Sequence, residues 1–236
     1  MSLALGCGRI GFELCASGCG SNGGPRLDSG NSSDAASGIQ RTVVTSPGST
    51  TALSFSFPFT QTAGNLALVA SYGTSDPGTV TDVFGETWNT LPAELRPCGS
   101  PVAVRFFYTL ATHSGDEMIT VTSGTNGTRG AFAIGYSGTA SAPLDDSTGV
   151  AGTANTTTLA AGTLTATAAD QIVAVFVTAG PLTISPAAGY RRLAQDDAFA
   201  AVIEDLPVAP GMYSPTAISS QASSCWVGAS VALLPR

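Results

Sequence analysis

Between residues 51 and 59 the sequence alternates strictly, with Leu53, Phe55, Phe57 and Phe59 on one side and mostly small polar residues between them. A period of two is the signature of a half-buried β-strand. Pro58 cannot donate to a ladder, so this strand is expected at a sheet edge or a bulge. Further strand candidates lie at 66–72, 102–110, 118–122, 131–137, 172–178, 190–194, 200–204 and 225–234. Turn-forming strings separate most of them, among them Asp76-Pro77-Gly78, Thr125-Asn126-Gly127 and Ala209-Pro210-Gly211. The nearest approach to a helical stripe is 194–206, through Phe199, Val202, Ile203 and Leu206, and it too reads as strand. No period of 20–50 residues repeats. The expectation is an all-β antiparallel sandwich, jelly-roll or Greek-key-like, of about 10–12 strands.

The organisation is expected to be a leader and tether over 1–38, followed by a single β domain over 39–236. From Ala16 to Gly38 the chain is Gly, Ser, Asn, Asp and Ala with almost no bulky apolar residue, too little to offset its ordering entropy. No stretch reaches the roughly 18–20 apolar residues of a spanning helix. Charged residues are only 11%, there is no lysine, and the net charge is −7. Phosphate binding relies on clustered Lys and Arg, so nucleic acid is excluded as a partner.

Five cysteines are an odd number. Setting Cys7 aside leaves Cys15, Cys19, Cys98 and Cys225, whose simplest disulfide pairing is Cys15–Cys19 and Cys98–Cys225. The alternatives are buried free thiols or a zinc site around Cys7, Cys15 and Cys19.

The N-terminal string Leu3-Ala4-Leu5-Gly6-Cys7 resembles the end of a bacterial lipoprotein signal peptide. It departs from that pattern in having Ala4 three before the cysteine and little n- or h-region. The resemblance implies lipidation at Cys7 and a place on the bacterial surface, an outer-membrane lipoprotein being one form. From Leu66 onward the strings N-L-A-L-V-A, D-V-F-G-E-T-W, F-Y-T-L-A, I-T-V-T-S, G-Y-S-G and C-W-V-G-A-S-V-A-L-L-P are similar to an uncharacterised β-sandwich module of bacterial secreted and surface proteins. That likeness implies fold and an extracellular or cell-surface location, and its motifs are structural rather than catalytic.

Chemistry is sparse. The one histidine, His113, lies in a turn-like Thr-His-Ser-Gly, and Gly135-Tyr136-Ser137-Gly138 lacks the glycine spacing of a nucleophile elbow. Glu86, Glu94, Glu117 and Glu204 could supply a glycosidase carboxylate pair only if separate strands bring two together. Calcium is the expected ion, at Asp145 and Asp146 in a loop-like Pro-Leu-Asp-Asp-Ser-Thr. For stacking against sugars the candidates are Trp88, Tyr72 and Tyr136, with Tyr108, Tyr190 and Tyr213 behind them. The expected function is a non-enzymatic surface binding or adhesion module that takes a glycan or a surface protein. The alternatives are a coat or filament protein that self-associates through β edges, and a carboxylate glycosidase.

Overall fold

The computed structural model describes residues 38–99, 101–180 and 182–236, with the backbone of Arg26 and Leu27. Cys7, Cys15 and Cys19, and the calls for lipidation and a leader disulfide made on them, lie outside the described residues. No helix occurs among the described residues, and the expected antiparallel β fold is what forms.

A two-residue strand, β1 (Arg26–Leu27), precedes the body. Residues 39–137 then carry β2 (Gln40–Thr50), β3 (Ser54–Gln61), β4 (Leu66–Gly73), β5 (Thr79–Asp82), β6 (Asn89–Thr90), β7 (Glu94–Arg96), β8 (Val102–Leu110), β9 (Gly115–Thr122) and β10 (Arg129–Ser137). Residues 139–236 carry β11 (Thr139–Gly152), β12 (Thr156–Ala160), β13 (Leu164–Ala166), β14 (Gln171–Thr178), β15 (Ile184–Pro186) and β16 (Arg191–Asp196). They end with β17 (Ala201–Pro207), β18 (Gly211–Tyr213), β19 (Thr216–Ser223) and β20 (Trp226–Pro235). The strands outnumber the expected set because several are two or three residues long, too short to show a period, and because β2, β11, β12 and β19 lie outside the segments read as strands.

The two runs repeat one topology. In the first, the main strands alternate between an inner sheet ordered β2-β10-β4-β8 and an outer sheet ordered β3-β9-β5. In the second they alternate between β11-β20-β14-β17 and β12-β19-β15. Matching β2 to β11, β3 to β12, β4 to β14, β5 to β15, β8 to β17, β9 to β19 and β10 to β20 carries one order onto the other. This interleaving of two sheets is jelly-roll topology, and the chain contains it twice. Even the additions correspond, since β6 and β7 pair with the free side of β8 as β16 pairs with β17.

The two inner sheets pack face to face. Leu66, Leu68, Ala70, Val104, Phe106, Phe132 and Ile134 of one meet Val173, Val175, Val177, Ile203, Val227 and Val231 of the other in a single core. The stacking follows an approximate twofold: β2 lies against β16 as β11 lies against β7. Each inner sheet turns its other face to its own outer sheet. Ala67, Val69 and Phe107 cover Phe57, Phe59, Ile119 and Val121 in the first half. Ala174, Phe176 and Val202 cover Leu159, Ile184 and Ala217 in the second. The β13–β18 ribbon closes over Ile172 and Ala232.

The stack is therefore four layers deep, and its middle strands β4 and β14 are buried along their whole length. That explains why 66–72 and 172–178 are near-continuous apolar runs while β3, in an outer layer, alternates. Pro58 sits, as expected, on the edge strand β3. The segment 194–206 forms parts of β16 and β17, as the strand reading expected. In the segment read as a tether, Arg26 and Leu27 pair with Gln195 and Ala194 and extend the second inner sheet by one short strand.

Candidate functional site: a polar cleft beside the first half

Two of the aromatic residues expected at the surface are inside. Tyr72 and Tyr136 are 0% and 1% exposed, so neither can offer a ring face to a sugar. Both point from the first inner sheet into the shared core and end on a carboxylate of the second. The Tyr72 hydroxyl donates to Asp196 Oδ2 at 2.8 Å, and that of Tyr136 to Asp205 Oδ2 at 3.4 Å. Burial, then the facing carboxylate, push both phenols well above their ordinary value. Asp205 also receives Arg191 through Nε and Nη2, each at 2.9 Å, with Arg41 Nη1 3.9 Å away. An alternating strand read from sequence cannot say whether its tyrosines face water or a second sheet; here they join the two halves.

Asp145 and Asp146 lie within β11, not in a loop. Asp146 accepts the backbone N–H of Thr165 at 2.7 Å, and Asp145 accepts the backbone N–H and the hydroxyl of Thr167. They tie the β13 segment to β11. Asp170, fully buried nearby, has its pKa raised to about 7 by burial and then by Asp145. No three His, Cys, Asp or Glu side chains among the described residues are arranged to hold a metal ion. Cys98 and Cys225 stand at disulfide distance, Cα atoms 6.1 Å apart, and bridge 127 residues from one half to the other.

A cleft of about 470 Å³ opens where the first half meets the start of β11. Its walls are Gly85, Glu86 and Thr87 from the loop after β5, Asn89 of β6, Tyr108 to Leu110 at the end of β8, Thr112 just beyond it, and Ser141 to Pro143 of β11. Those last residues are available because β11 breaks register with β20 between Thr139 and Leu144. Such irregularities re-aim a strand and recur at binding sites.

The loop wall is fixed by two carboxylates. Asp82 accepts the Glu86 N–H at 3.1 Å and the Trp88 indole N–H at 2.6 Å. Glu86 accepts the Thr112 N–H at 2.7 Å, the Thr112 hydroxyl and the His113 N–H at 3.1 Å, while His113 Nδ1 lies 3.1 Å from it. Burial acts to raise the Glu86 pKa, but the hydrogen bonds from Thr112 and His113 outweigh it and the net shift is downward. Phe84 stacks on His113, ring centroids 5.3 Å apart. Trp88 is thus half-buried against the first outer-layer core and bonded inward.

Of the glutamates among the described residues, only Glu86 lines the cleft. Glu94 lines a smaller one beside Phe106 and Ser147. Glu117 and Glu204 are buried, with no hydrogen-bond partner at either carboxyl oxygen. Burial and then Asp205 push the Glu204 pKa to about 9. Ser137 donates to the Gln40 carbonyl, and His113 belongs to the Glu86 cluster instead. The cleft itself was out of reach of the sequence, because the β11 irregularity and the packing of the halves carry no local signal.

Comparison with known proteins returned no matching family model, no matching curated protein and no matching solved structure. No helix among the described residues is long and apolar enough to cross a membrane.

Proposed function

We propose that this chain is a non-enzymatic binding module of a bacterial surface or secreted protein, and that it holds a glycan in the cleft beside β8. The observation that carries this reading is the lining: an amide from Asn89, hydroxyls from Thr87, Thr112 and Ser141, and half-buried Tyr108 around an open trough. Sugars are recognised by such a mix of hydrogen-bonding groups and an aromatic side chain. Glycoside hydrolysis needs two carboxylates flanking the bond. The cleft presents one, and its oxygens are engaged by Thr112 and His113. Pro58 on the edge of the first outer sheet disfavours growth from that edge and so weighs against a coat or filament. The Cys98–Cys225 pair fits an oxidising compartment.

The test is retention of the full chain on a panel of polysaccharides, with calcium and with chelator. Retention on one glycan class, lost in Tyr108→Ala and in Asn89→Ala, is the expected result. Loss in chelator as well would mean that calcium takes part. Absence of retention on every polysaccharide would overturn the reading.

A further inference from the structure

Beneath the loop that walls the cleft lies an unexplained polar pair. Glu117 on β9 is 4% exposed and Gln61 on β3 is 6% exposed, and none of their side-chain oxygens or nitrogens has a hydrogen-bond partner. The ladder places them diagonally on one inward face, since Phe59 lies opposite Glu117 and Gln61 opposite Gly115. On the other side of β9, Asp82 pairs with Ile119, two residues from Glu117 on the same face. The charges that bear on Glu117 are Asp82 and Glu86, both negative. His113, from the β8–β9 turn, is engaged with Glu86, and Asp116 is turned to the outer face, where it accepts from Thr60. The remaining neighbours, Phe59 and Gln61, are neutral.

Burying an ionised carboxylate without a partner is costly, and two like charges beside it add to the cost. A neutral carboxyl costs far less. The same two carboxylates that repel Glu117 hold the loop, through the Glu86 N–H, the Trp88 indole and Thr112. Moving Asp82 and Glu86 away, and the loop with them, relieves a third charge.

We propose that Glu117 is a proton-operated latch on the loop at 83–88: protonated, it lets the loop stay docked, and ionised, it loosens the loop and the cleft it walls. The coupling to ligand rests on the glycan reading above; the latch itself does not. Burial and then the charges of Asp82 and Glu86 raise the Glu117 pKa from 4.5 to about 7. For a raised carboxyl, the stabilising contribution is complete below the ordinary value and is lost as pH rises through the folded value. The docked loop therefore belongs to the acid side of neutrality, and the proton goes to solvent as the loop loosens.

Trp88 supplies a readout independent of any ligand. In the full chain its emission should shift to the red as pH is raised through about 7, and the shift should be absent from Trp88→Phe. Glu117→Gln should hold the docked emission across the same range, and Glu117→Leu serves if the glutamine variant folds poorly. Histidine titrates in this range as well, so His113→Gln is the control and should keep the shift. A flat wild-type profile, a shift that persists in both Glu117 variants, or one abolished by His113→Gln would overturn the latch. Where a glycan is retained, retention should weaken severalfold across the same pH interval in the wild type and not in Glu117→Gln. Retention that ignores pH while the emission shifts would overturn the coupling to the cleft.

Discussion

The two halves share a strand order and differ in what fills it. The first residue of β4 to face the shared core is Leu66, and its partner on β8 is Leu110. In the second half β14 turns Gln171 and then Val173 to that side, and Val173 stands opposite Asp205. The same end of the strand pair thus holds a leucine lining an open cleft in one half and, one pair further in, a buried carboxylate gripped by Arg191 and approached by Arg41 in the other. The contact between the halves has the character of an isologous dimer interface, with like elements meeting across an approximate twofold. Such a frame lets one copy close with ion pairs while the other keeps a trough. Alternation and turns set the frame, and a few residues at the same end of each strand pair set where a ligand can go.

The sharpest challenge to this view is whether the halves stand alone. Replacing Cys98 and Cys225 together by alanine should lower stability by roughly 4–5 kcal/mol on the chain-entropy account of a loop this long. Urea unfolding should nonetheless remain one transition, because the shared core joins both halves. Two separate transitions would show that each half folds by itself. Asp205→Ala comes next, at about 3 kcal/mol or somewhat less, since it removes the buried carboxylate that faces Arg41 and holds the partly exposed Arg191. Adding Arg41→Ala to it should restore part of the loss. Leu110→Ala, at the same end of the first half, should fall at or below the low end for leucine truncations, about 2 kcal/mol, because Leu110 is only half-buried. Equal costs at the two positions would break the comparison.

Glu204 offers a change in the opposite direction. Its carboxyl is fully buried, and its pKa stands at about 9 against the ordinary 4.5. Stability from the neutral form is complete below 4.5 and is lost as pH rises through 9. At pH 7 the folded state must hold a proton that the unfolded chain does not need, at a cost of roughly 3 kcal/mol. Glu204→Gln removes that requirement, and the unfolding free energy from denaturant titration should rise by that amount at neutral pH and converge with wild type near pH 4. Glu204→Thr should show the same pH trend with a smaller gain because it leaves a cavity. A variant whose advantage does not shrink in acid would mean that Glu204 is charged in the fold.

Much of the frame was legible. Leu53 to Phe59 announced an outer strand by its period, and 66–72 and 172–178 announced strands by their β-branched and aromatic content. Cys98–Cys225, one half of the simplest pairing, stands at disulfide distance. What escaped was everything that depends on which sheet a residue faces. Tyr72 and Tyr136 alternate as surface aromatics would, yet a second inner sheet covers them. Asp145-Asp146 has the composition of a turn, yet it sits in a 14-residue strand whose neighbours supply backbone N–H groups. The duplication was invisible because its copies are about a hundred residues apart and share burial patterns rather than identities.

The two tryptophans give the finest test of the comparison. In the second half Trp226 is 5% exposed, packs over Gly152 and leaves its indole N–H 3.4 Å from the Ala154 carbonyl. In the first half Trp88 is half-buried and donates at 2.6 Å to the Asp82 carboxylate that also holds the loop. A charge-assisted bond of this kind contributes about 1.5–3 kcal/mol when buried, and partial exposure puts Trp88 near or below the lower figure. If Trp88 acts by positioning the loop, Trp88→Phe keeps a ring but loses the bond, and it should weaken glycan retention about as much as Trp88→Ala, severalfold at most. If its ring instead stacks on sugar, phenylalanine should retain most of the affinity and alanine little. Affinity measured on both variants beside Tyr108→Ala separates these outcomes. Near-equal, modest losses at Trp88 with a large loss at Tyr108 would assign the contact to the trough and the positioning to the loop.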